Sequence, residues 1–119
     1  MVINKYFKRS EFACNCGCGF DAVDKELLDV LTDVREYYNK PVIITGPNRC
    51  QAYNRKVGGA SISQHTKAMA VDFKVKGIHA DEVADYLENK YRNKYGIGRY
   101  VGRTHIDVRE DGPARWDSR

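Results

Sequence analysis

Three histidines occur in the 119 residues, and two of them keep company suited to metal chemistry. His65 stands seven residues before Asp72, and His105 opens the run His105-Ile106-Asp107. Two imidazoles and a carboxylate form the ligand set of many catalytic zinc sites, with a fourth position left for water. Zinc held in this way lowers the pKa of its water to about 7 and polarises a carbonyl, which is the chemistry of amide hydrolysis. Strands give such ligands a rigid base. On a strand His105 and Asp107 share a face, with the Asp107 carboxylate about 7 Å along the chain. A His-x6-Asp spacing is a weak signal by itself, because carboxylates are common. His79, in Gly77-Ile78-His79-Ala80, reads as a helix-start residue and not as a ligand. The H-E-x-x-H and G-x-S-x-G signatures of other hydrolases are absent.

The elements that must carry these residues are legible from periodicity. Ser10-Glu11-Phe12 reads as a short capped turn of helix. Leu27, Leu28, Leu31, Val34 and Tyr38 recur at helical spacing behind Asp24, a good N-cap, and Asn39-Lys40-Pro41 ends that helix. Val42-Ile43-Ile44-Thr45 predicts a buried strand, and Gly46-Pro47-Asn48 a turn. A short helix is expected from Arg49 to Val57, then a loop over Ala60 to Gln64. Residues 68–75 alternate as a strand, with Met69, Val71 and Phe73 against Ala70, Asp72 and Lys74. A second amphipathic helix carries Val83, Tyr86, Leu87 and Tyr91, with Asp81 and Glu82 favouring its N-terminus. Residues 95–100 and 104–108 predict two further strands, the last closed by Asp111-Gly112-Pro113. That order implies an α+β domain spanning 1–119, a small antiparallel sheet with helices packed on one side.

Composition sets the bounds. Hydrophobic residues make up 42% and charged residues 30% of the chain, an ordinary balance for one compact domain. No apolar run approaches the roughly 18 residues of a membrane span, so no membrane insertion is expected. The opening Val2-Ile3-Asn4-Lys5 lacks the pattern of a signal peptide, which implies synthesis in the cytoplasm and release by other means. Twenty Lys and Arg against 16 Asp and Glu leave a net charge of +4, which favours anionic polymers. The basic residues are scattered among acidic ones and form no phosphate-binding stripe, so nucleic acid is not the expected partner. Cys14, Cys16, Cys18 and Cys50 do not follow the usual C-x2-C spacing of zinc ribbons. They leave open reduced, partly buried thiols, a structural metal or a bridge of the Cys18–Cys50 kind.

The longer run Ser63-Gln64-His65-Thr66-Lys67-Ala68-Met69-Ala70-Val71-Asp72 resembles the S-x-H-x-x-G-x-A-x-D signature of the D-alanyl-D-alanine carboxypeptidase and L-alanyl-D-glutamate endopeptidase family. Those zinc enzymes share a fold with the hedgehog signalling domain and include many phage endolysins. Ile44-Thr45-Gly46-Pro47-Asn48-Arg49-Cys50, followed by Asn54 and Val57-Gly58-Gly59-Ala60, is similar to the family's strand-turn-Arg segment. His105-Ile106-Asp107-Val108-Arg109 is similar to its H-x-D strand. Gly112-Pro113-Ala114-Arg115-Trp116 is similar to a tail seen in one branch, and Phe12-Ala13-Cys14-Asn15-Cys16-Gly17-Cys18-Gly19 to the opening of short phage and prophage members.

The resemblance implies that Zn2+ is held by His65, Asp72 and His105, and that Arg49 grips a substrate carboxylate during catalysis. A planar guanidinium suits that task better than an ammonium. Ser63 and Gln64 are expected to orient substrate or ligands, or to hold their loop. Two departures stand out. Ala68 replaces the signature glycine, and the general base that several relatives carry three residues before the last histidine falls here on Gly102. Asp107 is the substitute base, or else the residue that orients His105. The implied activity is hydrolysis of an amide bond in peptidoglycan stem peptides by a monomer, as a carboxypeptidase or endopeptidase, with phage endolysin among the settings. Two other readings differ in chemistry: Cys50 as nucleophile with His105 and an acid, and a non-catalytic zinc-stabilised module that binds wall peptide or a protein.

Overall fold

The computed structural model describes residues 4–14, 23–46 and 69–119. A turn of 3-10 helix, Arg9–Phe12, precedes helix α1, Lys25–Tyr38, and strand β1, Val42–Gly46. Strand β2, Ala70–Val75, is followed by helix α2, Ala80–Lys90, and by strands β3, Gly96–Tyr100, β4, Arg103–Asp107, and β5, Ala114–Asp117. The architecture is α+β, with five strands in the order β1-β2-β4-β3-β5. It is compatible with a small peptidase fold. The expected helix from Arg49 to Val57 and the loop over Ala60 to Gln64 lie outside the described residues.

Local chemistry sets the helix boundaries. The Asp24 carboxylate accepts from the backbone N–H of Glu26 at 2.8 Å and of Leu27 at 3.4 Å, satisfying donors that have no partner inside the helix. At the other end Asn39 takes the left-handed conformation, φ 54°, and its N–H donates to Arg35. Helix α2 is capped by His79, whose Nδ1 accepts from the Asp81 N–H at 3.1 Å. This is the helix-start role expected for that histidine.

Sheet pairing is antiparallel for β1/β2, β2/β4 and β3/β4, as expected. The pair β3/β5 is parallel, which makes the sheet mixed. Its cause is topological. After β4 the chain passes over the start of β3 and pairs along its other side, so β5 runs against β4 and hence with β3. Sequence reasoning missed β5, because four residues following Gly112-Pro113 read as a tail.

Alternation gives the sheet two unlike faces. Val71, Phe73, Ile97 and Ile106 are fully buried on one face, in a cluster with Leu27, Leu31 and Val34 of α1 and Val83 and Leu87 of α2. Tyr86 of α2 donates to Asp33 of α1 at 2.8 Å, and Lys90 reaches the same carboxylate at 2.6 Å, so the helices are tied together. Asp72, His105 and Asp107 fall on the opposite face. The cap on α1 is directly testable. Asp24→Ala should lower stability by about 1 kcal/mol, seen as a lower urea midpoint with an unchanged slope.

Candidate metal centre

The register of the sheet aligns one residue from each strand. Gly46 of β1 pairs with Asp72 of β2, Asp72 with His105 of β4, His105 with Gly98 of β3, and Gly98 with Trp116 of β5. Paired residues point to the same face, so Asp72 and His105 are brought together by the β2/β4 ladder. His105 Nδ1 lies 2.9 Å from Asp72 Oδ1. A second row, one repeat along, joins Ala70, Asp107, Gly96 and Ala114.

Asp107 is fully buried and His105 is 7% exposed. His105 Nε2 lies 2.8 Å from Asp107 Oδ2, on the side of the ring away from Asp72. Asp107 in turn accepts from Arg109 Nε at 2.7 Å and Arg109 Nη2 at 2.8 Å, a two-pronged grip. Its Oδ1 also accepts from the Gly96 N–H at 3.1 Å and the Arg109 N–H at 3.3 Å. Burial pushes this carboxyl up, but Arg109 and His105 outweigh it and hold Asp107 well below the usual carboxylate range. For His105, burial pulls the pKa down, while hydrogen bonding to Asp107 and Asp72 and their charges reverse the effect and raise it.

Two glycines make room for these carboxylates. A Cβ on Gly96 would fall 2.7 Å from the Asp107 Cγ, and one on Gly46 would fall 2.7 Å from the Asp72 Oδ2. Arg103 stands at the margin of the site, its Nε 3.7 Å from the Asp72 Oδ2 and its guanidinium 4.2 Å from the Tyr100 ring centre. Gly102 occupies the β3/β4 turn with φ +78°. That left-handed backbone suits glycine and strains other residues.

Of the residues anticipated from sequence, Asp72, His105 and Asp107 are thus adjacent. His65, Arg49, Ser63, Gln64 and Cys50 lie outside the described residues, as do Cys16 and Cys18, while Cys14 is buried. Among the described residues no group of three His, Cys, Asp or Glu side chains forms a metal cage. Sequence reasoning missed Arg109 and Gly96. The alternation His105-x-Asp107-x-Arg109 could have found the arginine, because all three fall at a period of two.

A model of the family described as Peptidase M15 matches residues 5–107, and the chain belongs to that family. Membership indicates a metallopeptidase of a generally zinc-dependent kind. No curated protein and no solved structure matches the chain. The donors present fit such a metal. A carboxylate oxygen and an imidazole Nδ1 face each other, and the remaining ring nitrogen is held by a carboxylate, the arrangement that fixes the tautomer of ligating histidines.

Gly96→Ala tests how tightly this site is built. The added methyl must displace the Asp107 carboxylate, so folding stability should fall by about 1–3 kcal/mol, measured by urea unfolding. Unchanged stability would show that Asp107 can move freely, contrary to its packing here.

Proposed function

We propose that this protein hydrolyses an amide bond in peptidoglycan stem peptides, using zinc held by His65, Asp72 and His105. The observation that carries the reading is His105 aligned between Asp72 and Asp107, with the Nδ1 edge turned toward Asp72. Family membership supports a metallopeptidase. The choice of wall peptide rests on the extended motif around His65 and on a net charge of +4, which favours an anionic polymer. When bound, zinc supplies Lewis acidity toward a carbonyl and lowers the pKa of water.

The chain's own residues divide the remaining work. Asp72 and His105 hold the metal together with His65. Asp107 orients His105: its two oxygens are engaged by His105, Arg109 and the Gly96 N–H, and it is fully buried. Of the two roles open to Asp107, the orienting one agrees better with this geometry than that of general base, because a base needs an oxygen within reach of the attacking water. Arg49 grips a substrate carboxylate, and Ser63 and Gln64 line the approach. The protein acts as a monomer on wall peptide, either as a carboxypeptidase or as an endopeptidase, and a phage endolysin is one setting for that activity.

A non-catalytic wall-binding module is the second reading, and Gly102 favours it. The acid that the resemblance implies for several relatives is replaced there by glycine, and the turn's φ of 78° would strain a side chain at that position. Mass spectrometry of muropeptides after digestion, with and without a chelator, separates the two. Cleavage that disappears on chelation and survives cysteine alkylation supports the zinc enzyme and removes Cys50 from consideration. Zinc and wall fragments bound without cleavage would establish the module.

Two substitutions sharpen the assignment. His65→Ala should abolish hydrolysis, whereas His79→Ala should leave it nearly intact, since that imidazole only caps α2. Asp107→Asn should weaken zinc binding by about 10–100-fold, with turnover largely restored by excess zinc. A loss of about 10²–10⁴-fold with zinc still bound would instead make Asp107 the base.

A further inference from the structure

The last strand brings one more residue to this centre. Trp116 lies on β5, beyond the segment that matches the family, and its indole packs against the His105 imidazole with ring centres 4.9 Å apart and planes inclined by 50°. The contact is unusual in its reach. β3 lies between β5 and β4, so the two residues are separated by two strand spacings, about 9–10 Å. A large side chain crosses that gap only if the intervening strand presents no side chain of its own, and the residue in register there is Gly98. A Cβ on Gly98 would fall 2.7 Å from the Trp116 Cζ2, inside van der Waals contact.

Two groups besides His105 meet the indole, and its strand is anchored separately. Its Nε1 donates to the Tyr100 hydroxyl at 2.8 Å. The Arg109 guanidinium that grips Asp107 lies 5.6 Å from the indole ring centre. β5 itself is anchored through Arg115, whose Nη1 donates to Tyr95 O at 2.7 Å and whose Nη2 donates to Tyr91 O at 2.7 Å, just past the end of α2. Trp116 thus touches both the candidate ligand, His105, and the arginine that immobilises its carboxylate partner.

We propose that Trp116, laid over Gly98, is a positioning residue for the metal centre: it holds the His105 ring so that Nδ1 faces Asp72. This rests on the zinc site proposed above and adds to it a residue that lies beyond the family match. The indole is large, stiff and constrained by its own hydrogen bond, so it limits rotation of the imidazole more than small apolar side chains would. Ligand orientation of this kind governs metal affinity.

The chain contains one tryptophan, so its fluorescence reports on this contact alone. The metal-free full chain is titrated with Co2+ while tryptophan emission is followed, and zinc affinity is measured by chelator competition. Affinities are compared for the wild type, Trp116→Phe, Trp116→Ala, Gly98→Ala and the double variant Gly98→Ala/Trp116→Ala, with circular dichroism confirming each fold. Co2+ should quench wild-type emission at one equivalent. Trp116→Ala and Gly98→Ala should each weaken zinc binding by about 10-fold or more, with Trp116→Phe between them and the wild type. The double variant should bind zinc no worse than Trp116→Ala, because the methyl on residue 98 then meets no indole. If Trp116→Ala does not fold, Trp116→Phe and Gly98→Ala decide. Wild-type affinity in the folded variants overturns the role of Trp116 while leaving the zinc site intact. Failure of the wild type to bind either metal overturns the zinc site itself, and this role with it.

Discussion

Everything in the site depends on the pairing of β2 with β4, which sets Asp72 opposite His105. In an antiparallel ladder a slip of one residue sends a side chain to the other face, so this register is what gathers the two groups. It is enforced from behind. Val71, Phe73 and Ile106 alternate with the site residues and are fully buried against the helices, so a slip would bring apolar side chains to the site face and carboxylates into the core. The core therefore fixes the geometry of the candidate site without touching it.

Glycine has an equally specific part. In two adjacent rows of the sheet, a side chain of the candidate site lies over a glycine on the next strand: Asp72 over Gly46, Asp107 over Gly96, and Trp116 over Gly98. Each glycine removes a side chain that would otherwise fill the space. The cost is entropic, since a glycine in a strand loses more freedom on folding than other residues. The return is that the Asp72 and Asp107 carboxylates and an indole have room to reach His105 across the sheet.

Much of this was legible in the sequence, and the remainder was hidden for identifiable reasons. Helical spacing, with Asp24 and His79 as starts, located α1 and α2 because capping and periodicity are local. Alternation placed Asp72, His105 and Asp107 on strands and put His105 and Asp107 on one face. It could not show on which side of the imidazole the Asp107 carboxylate would settle, because that depends on the Arg109 grip and on space left by Gly96 on another strand. The parallel strand β5 was hidden for a similar reason. Its four residues carry little periodicity, and their pairing depends on a crossing that only the assembled sheet defines.

The charge balance of the site follows from the same contacts. Asp107 is paired with Arg109 in a two-pronged contact, which offsets part of its negative charge while it still holds His105. Arg103, 3.7 Å from the Asp72 Oδ2, partly offsets the remaining carboxylate. A dication held by Asp72 and two neutral imidazoles would therefore face one negative charge from its ligands, and that charge is shared with an arginine. The assembly of metal and ligands would carry net positive charge in a site where His105 and Asp107 are screened from water. That sign suits a polarised carbonyl and a substrate bearing carboxylates, and it is opposed to a cationic one. The Arg109–Asp107 pair would thus have two consequences for a metal bound there: it would aim the imidazole, and it would offset part of a second negative charge near the ion.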